Sequence, residues 1–239
     1  MKCLDLSFAT PEDNLACDEV LLDACESGIG EETLRFWESP NYFVVVGYGN
    51  SVAAEVNQSV CEAKQIPILR RCSGGGTVVQ GPGCLNYSLI LEFATDGPLR
   101  SITSANQFIM ERNRQALEGL LRQPVSIHGH TDLAVGGLKF SGNAQRRRKR
   151  SLLFHGSLLL NFDLTLISDL LPMPSKEPDY RLNRSHREFL LNLRLLPEQI
   201  KSTLQTAWDA TSTLDRVPVE AVAALAREKY ATKEWNQKF

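Results

Sequence analysis

The sequence predicts an α+β fold in which a mixed, largely antiparallel sheet is flanked by helices. Three observations carry that expectation. Apolar, alternating stretches follow one another through turns of a few residues, whereas parallel strands need a helix-length crossover. Helical periodicity stands before, between and after those stretches instead of alternating with each of them. The 239 residues, 43% of them hydrophobic and 23% charged, are enough to bury a sizeable core.

In chain order, Pro11-Glu12-Asp13 opens a helical pattern with apolar positions at Leu15, Val20, Leu21, Leu22 and Ala24, and Gly28 and Gly30 end it. Thr33 to Trp37 reads as a strand, Ser39-Pro40-Asn41 as a turn, and Tyr42 to Val46 as a buried strand stopped by Gly47. Glu55 to Gln65 reads as a short helix, Ile66 to Leu69 as a strand and Thr77 to Val79 as another. Gln80-Gly81-Pro82-Gly83 is a turn. Leu85 to Phe93 alternates, with Leu85, Tyr87, Leu89 and Leu91 on one face and Asn86, Ser88, Ile90 and Glu92 on the other. Ser104 to Leu121 is a helix. Val125 to Ile127, Asp132 to Val135, Leu138 to Ser141 and Leu152 to Asn161 are strand-like, the last of them the last clear strand. From Thr165 the chain turns helical and irregular, with helices expected over Arg184 to Leu193, Pro197 to Ala210 and Val219 to Tyr230. The basic run Arg146 to Arg150 reads as an exposed, mobile loop, because adjacent cations repel one another.

Composition narrows the function classes. A net charge of −2 argues against general affinity for nucleic acid or membrane surfaces. No apolar run is long enough to cross a bilayer, and Met1 to Leu6 lacks a signal-peptide core. Six scattered cysteines have neither metal-ligand spacing nor the density of a secreted disulfide scaffold, so reduced thiols in a cytoplasm are expected.

The most informative stretch is Arg70-Arg71-Cys72-Ser73-Gly74-Gly75-Gly76-Thr77-Val78-Val79. Three consecutive glycines between two strands permit positive φ and let a ligand approach the backbone, and the N–H groups of such a turn form a nest for anions. The paired arginines add forked donors suited to carboxylate or phosphate. The spacing is neither that of a nucleotide-binding Gly-Lys-Ser/Thr loop nor that of the dinucleotide fingerprint. A second stretch, Thr131 to Gln145, puts Lys139 on a short strand between Gly136-Gly137 and Gly142, with Lys139 and Ser141 on one face. Facing an anion nest, that lysine would neutralise a carboxylate, a phosphate or their mixed anhydride; otherwise it is an edge residue with its amine in water. A third stretch, Phe154 to Asn161, sets His155-Gly156 at the edge of an apolar strand, where His155 is a site-lining candidate.

In order, these stretches resemble the motifs of the lipoate–protein ligase A family, part of the larger biotin/lipoate ligase and transferase group. Arg-Arg-x-Ser-Gly-Gly-Gly-x-Val is matched by Arg70 to Val78. Asp132-Leu133-Ala134-Val135, then Lys139 with Ser141-Gly142-Asn143-Ala144, then His155-Gly156-Ser157-Leu158-Leu159 match the later motifs. Asn14-Leu15-Ala16, Trp37, Val44 to Gly47, Glu55-Val56-Asn57 and Pro178-Asp179-Tyr180-Arg181 with Arg184-Ser185-His186 fit as well, so the resemblance runs from about Asn14 to about Trp235. It implies the biotin/lipoate ligase catalytic-domain type of fold over residues 1–239, with a helical portion from about 165 to 239 and no accessory domain.

The resemblance also implies a reaction. Family members activate lipoate with ATP to lipoyl-adenylate, release pyrophosphate and pass the lipoyl group to a lysine of an acceptor protein, a lipoyl domain or lipoate carrier. On that pattern Lys139 is the catalytic lysine. Arg71, Ser73, Gly74, Gly75 and Gly76 hold the acyl carboxylate and α-phosphate, with Asn86, Asp132, Gly142, His155 and Gly156 completing the substrate site. Cys72, Thr77, Val78, Val79 and Gln80 line the nucleotide side. ATP and Mg²⁺ are implied, with Asp132 a candidate contributor to the ion. Cys72 and Gln80-Gly81 depart from the residues several relatives carry. Octanoyl or lipoyl transferases instead need a nucleophilic cysteine before the central lysine or after the His-Gly motif, and residues 122–138 and 156–239 contain none. The biotin-ligase pattern lacks its own Gly-Arg-rich loop here. A non-catalytic lipoyl-binding scaffold would tend to have lost the lysine or arginines. Tyr230 to Asn236 resembles the junction into the accessory domain of two-domain ligases, so either a separate accessory-domain protein assists or the catalytic domain is self-sufficient.

Overall fold

The computed structural model describes residues 1–174 and 177–239. Thr10 caps the first helix by accepting from the Asp13 N–H, Pro11 stands in its first turn where no N–H is needed, and α1 runs Pro11–Glu26. The strands are β1 (Lys2–Asp5), β2 (Thr33–Trp37), β3 (Phe43–Val46), β4 (Ile68–Arg70), β5 (Val78–Gln80), β6 (Cys84–Glu92), β7 (Ser126–His128), β8 (Asp132–Val135), β9 (Leu138–Arg147), β10 (Ser151–Leu159) and β11 (Ser212–Thr213). The further helices are α2 (Val52–Glu55), α3 (Gln58–Ala63), α4 (Ile102–Leu121), α5 (Leu164–Leu170), α6 (His186–Phe189), α7 (Pro197–Ala207), α8 (Val219–Leu225) and α9 (Lys233–Asn236).

The larger sheet has the order β11-β1-β2-β6-β10-β9-β8-β7; β11, β1 and β2 are parallel neighbours and every other pair is antiparallel. A smaller sheet, β4-β3-β5, carries the glycine loop between β4 and β5. The fold is thus the α+β mixed sheet the sequence predicts, and the alternation of β6 falls as read. Leu85, Tyr87, Leu89 and Leu91 bury into the core with Ile109, Leu117, Ile200 and Leu204 of α4 and α7. On the opposite face, Ile90 and Leu153 pack with Leu15, Leu22 and Val222 of α1 and α8. A third core joins the small sheet to Cys61, Leu166 and Leu170 of α3 and α5. Among the described residues, no helix is long and apolar enough to cross a membrane.

Several elements differ from the expectation. The helix expected over Glu55 to Gln65 is two short ones, and the one over Arg184 to Leu193 shrinks to α6, beyond which Leu190 makes a strand-like bridge to Lys139. Strands β1 and β11 were not expected, and the helix from Val219 changes at Ala226 into a π-helical turn ending at Tyr230.

The basic run is the largest correction. Arg146 and Arg147 belong to β9, and the turn after them is fastened to α1. Arg148 Nε donates to Asp23 at 2.9 Å, and the backbone N–H groups of Lys149, Arg150 and Ser151 each donate to the Glu26 carboxylate at 3.0 Å. Arg147 lies over the Phe93 ring at 4.1 Å and donates to the Leu99 carbonyl. Strand alternation sends neighbouring side chains to opposite faces, and the acids of α1 supply the countercharge, so repulsion does not melt the segment.

Candidate active site

The floor of the site is the sheet face opposite α4. One row of residues runs across five strands, Trp37, Asn86, Ser157, Gly142 and Asp132, and beside it lies a second, Arg35, Ser88, His155 and Ala144. These rows bound a cavity of about 1040 Å³, also lined by Arg71, Gly75, Gly76, Thr77 to Gln80, Lys139 and the segment from Glu177 to Arg181.

Both loop arginines donate to backbone carbonyls. Arg70, fully buried, donates to the carbonyls of Gly47, Tyr48, Asn50, Trp235 and Asn236 at 2.8–3.2 Å, so it does not serve as the anion fork the sequence suggested. The C-terminal segment completes that knot: Asn236 Oδ1 accepts from the Arg70 N–H at 2.9 Å, and Trp235 Nε1 donates to the Arg70 carbonyl at 2.8 Å. Arg71 donates to the carbonyls of Gly74 (2.6 Å) and Gly76 (2.7 Å) and to Ser73 Oγ (3.0 Å). Burial pulls Arg71 down to about 10, which leaves it charged at neutral pH. With the carbonyls of Gly74 and Gly76 turned to Arg71, the loop shows its N–H groups elsewhere. Gly74, Gly75 and Gly76 are exposed, and among the described residues their N–H groups have no protein acceptor. Gly75 has φ +87, and a Cβ on Gly47 would collide with its carbonyl, so this close backbone contact needs both glycines.

Lys139 reaches the cavity at the β8–β9 irregularity, its amine folded over Gly142 and paired with Asp132 Oδ1 at 2.8 Å. Asp132 Oδ2 accepts from the Tyr180 hydroxyl at 2.9 Å, and the Tyr180 ring stacks on His128 at 4.2 Å. His186 also lines the cavity; burial, then the charges of Arg181 and Lys139, lower it to about 4. On the floor, Gln80 Nε2 donates to Ser157 Oγ (3.2 Å), which donates to Asn86 Oδ1 (2.8 Å). Trp37 Nε1, Thr77 Oγ1 and Gln80 Oε1 are buried along the wall and have no partner among the described residues, which suits a cavity whose polar walls meet a ligand.

His155 joins Ser73 Oγ at 2.6 Å through Nε2 and Asp18 Oδ2 at 3.2 Å through Nδ1. A Cβ on Gly156 would collide with the Asn143 side-chain oxygen and the Tyr87 ring. Asn143 accepts there from the Tyr87 hydroxyl at 2.6 Å and donates to the Thr131 carbonyl at 2.7 Å. The His-Gly and Gly-Asn motifs are therefore two sides of one contact.

Of the residues expected at the site, Arg71, Gly75, Gly76, Thr77, Val78, Val79, Gln80, Asn86, Asp132, Lys139, Gly142, His155 and Gly156 are brought to one cavity. Gly74 is exposed next to Gly75, and Ser73 is wholly buried beneath the loop. Cys72 does not reach the cavity. It packs among α1 and Tyr230 because it alternates with Arg71 and Ser73, and burial pushes its thiol up to about 12. All six cysteines are free and buried; Cys84, the one that lines the cavity, is likewise pushed up to about 12. Asp18, Tyr180 and Ser157 were not singled out as site residues. The one available signal for Asp18 was its place four residues after Asn14, two polar groups stacked on an otherwise apolar helix face.

Comparison with known proteins agrees with this geometry. The chain is 31% identical to the probable lipoate-protein ligase A of Mycoplasma pneumoniae over 238 residues, 95% of this chain and 68% of that protein. It is also 27% identical to octanoyltransferase LipM of Halalkalibacterium halodurans over 270 residues, 98% of this chain and 97% of that protein. Its fold superimposes with a TM-score of 0.83 on a crystal structure of lipoate-protein ligase A bound with ATP, at 26% identity and covering 99% of this chain and 98% of the other. The model of the lipoyl protein ligase A/B catalytic domain matches residues 10–207, and with a glycine loop, a lysine and a His-Gly pair lining one cavity, the chain belongs to that family of enzymes.

Proposed function

We propose that this chain is an ATP-dependent lipoate–protein ligase, forming lipoyl-adenylate and passing the lipoyl group to a lysine of a lipoyl domain or lipoate carrier. The observation that carries the reading is that Lys139 and the unpaired N–H groups of the glycine loop serve one cavity, at which the sole cysteine is fully buried. The loop donors hold the acyl carboxylate and then the α-phosphate of the adenylate. Lys139 exchanges Asp132 for the acyl and phosphate oxygens and stabilises the charge that develops when the acceptor amine attacks. In that step the amide C–N bond forms, the C–O bond to phosphate breaks, AMP leaves, and the amine's proton passes to solvent. Among the described residues, no group of three or more His, Cys, Asp or Glu is placed to hold a metal, so Mg²⁺ would enter on the nucleotide phosphates with Asp132 as the nearby carboxylate. Bound there, it would neutralise phosphate charge.

The thiols of Cys72 and Cys84 argue against a covalent thioester, since a nucleophilic cysteine needs a depressed pKa and access, and burial raises the pKa of both and encloses both. The similarity to an octanoyltransferase keeps transfer from a carrier protein as the second reading. The test is mass spectrometry of an acceptor lipoyl domain incubated with this protein, lipoate, ATP and Mg²⁺, with pyrophosphate measured in parallel. A lipoyl mass gain with pyrophosphate release is expected. A gain from octanoyl-carrier protein without ATP would establish the transferase instead. A gain with synthetic lipoyl-adenylate only would assign activation to a separate accessory-domain protein.

A further inference from the structure

We propose that Asp18 is a positioning residue of this site, acting through His155 on Ser73 and thereby fixing the glycine loop; the inference rests on the proposed role of that loop as anion cradle. A continuous buried chain supports it. Asp18 Oδ1 accepts from Arg35 at 2.6 Å, and Oδ2 accepts from Ser88 Oγ at 2.7 Å. His155 Nδ1 lies 3.2 Å from the same Oδ2, His155 Nε2 lies 2.6 Å from Ser73 Oγ, and Arg71 Nε donates to Ser73 Oγ at 3.0 Å.

With a neutral imidazole between them, the two ends set the direction of every bond. An ionised carboxylate only accepts and a guanidinium only donates. Burial opposes ionisation of Asp18, but Arg35 and the hydrogen bonds from His155 and Ser88 outweigh it and hold the carboxyl below its ordinary range. The His155 proton must then sit on Nδ1, facing Asp18. Nε2 is left as a lone pair that accepts the Ser73 hydroxyl proton, while the Ser73 oxygen accepts from Arg71. Each atom has one role, and the serine rotor has one setting.

Asp, His and Ser in this order resemble a hydrolase triad, yet Ser73 is no nucleophile here. It has no exposed surface, does not line the cavity, and already holds an Arg71 N–H. What the chain does is pin the first residue of the loop to the sheet floor at β10. Arg71 can then turn the carbonyls of Gly74 and Gly76 inward, which leaves the N–H groups outward. Asp18 and His155 are 137 residues apart, so helix α1 and strand β10 set the loop from outside it.

Two measurements test this. The first is the imidazole tautomer of His155, read by long-range ¹H–¹⁵N correlation and assigned with His155→Gln. Wild type should carry the proton on Nδ1 at neutral pH; a proton on Nε2 would overturn the proposal whatever the enzyme's activity. Asp18→Asn should raise the Nε2–H fraction. Because it strands buried Arg35 it can fail to fold, so the second measurement uses Ser73→Ala. Loosening the loop weakens ground and transition states alike, and the KM for lipoate should rise about tenfold with kcat within about twofold. A collapse of kcat at unchanged KM would make Ser73 a reacting group, and no change in either constant would make the link idle; both results overturn the proposal. A wild type with the expected tautomer that neither adenylates nor transfers would count against the ligase reading alone.

Discussion

Gly156 is fixed by what stands across from it. The Asn143 amide and the Tyr87 ring fill the space a Cβ would need. Gly156→Ala should therefore destabilise the protein by about 1–3 kcal/mol, read as a lower urea midpoint at unchanged m-value. Lys139 is the opposite case, a residue with little packing to lose. Its amine is partly exposed and, among the described residues, pairs with Asp132 alone, which keeps the Tyr180 hydroxyl when the lysine is gone. Lys139→Ala should melt within a few degrees of wild type while lipoyl transfer falls by roughly 10²–10³-fold, the usual loss for a group aimed at developing charge. Unchanged turnover in that variant would remove the lysine from the chemistry. Both residues were legible in the sequence, Lys139 because glycines bracket it and Gly156 because it follows a histidine in a strongly apolar strand. Asp18 was not, since its meaning lies in a histidine 137 positions away and no local pattern records that. Arg70 was misread for a related reason: forked donors suit carbonyls as well as they suit anions.

Strand β9 shows how a local argument about charge loses to topology. The run from Arg146 is divided among a strand face, an aromatic contact and a turn held by α1. Its members therefore differ. Arg148 bridges Asp23 and Glu19, whereas Arg146 has no ion pair among the described residues and lies over the Tyr48 ring at 5.6 Å. Arg148→Ser should lower Tm by about 2–4 °C, equivalent to about 1 kcal/mol in a chain of this size, and Arg146→Ser should leave it unchanged. Equal melting of the two variants would return the run to a solvated loop. Long alternating or helical stretches were legible, as β6, β10, α1 and α4 show. The four residues of β1 and two of β11 were not, because their pairing depends on β2 lying beside them in space. The overestimate of α6 has the same origin, since Leu190 is drawn into a bridge with Lys139.

The fold as a whole should be acid-sensitive in two stages. His186 sits at about 4 in the native protein against an ordinary 6.5, so the unfolded chain takes up a proton that the native one refuses as pH falls between those values. Stability should decline over that window, and His186→Gln should flatten the decline. Asp18, held below its ordinary range, contributes stability above the unfolded value and loses it as pH falls through the native one, which gives a second loss at lower pH. Urea midpoints across pH 7 to 3 check both stages; a curve that His186→Gln leaves unaltered would assign the first to other groups.

The knot at Arg70 also has a bearing on how the protein is made. Its guanidinium is saturated only when Trp235 and Asn236 arrive, 165 and 166 residues further along the chain. On the ribosome the glycine loop is therefore synthesised early and waits with a buried-to-be cation short of two of its five carbonyl partners, while strands β6 to β10 can already form their antiparallel ladder. Contacts between such distant segments are slow to close. A nascent chain stalled before residue 235 would carry most of the sheet, with Arg70 lacking the Trp235 and Asn236 carbonyls that complete its ring of acceptors.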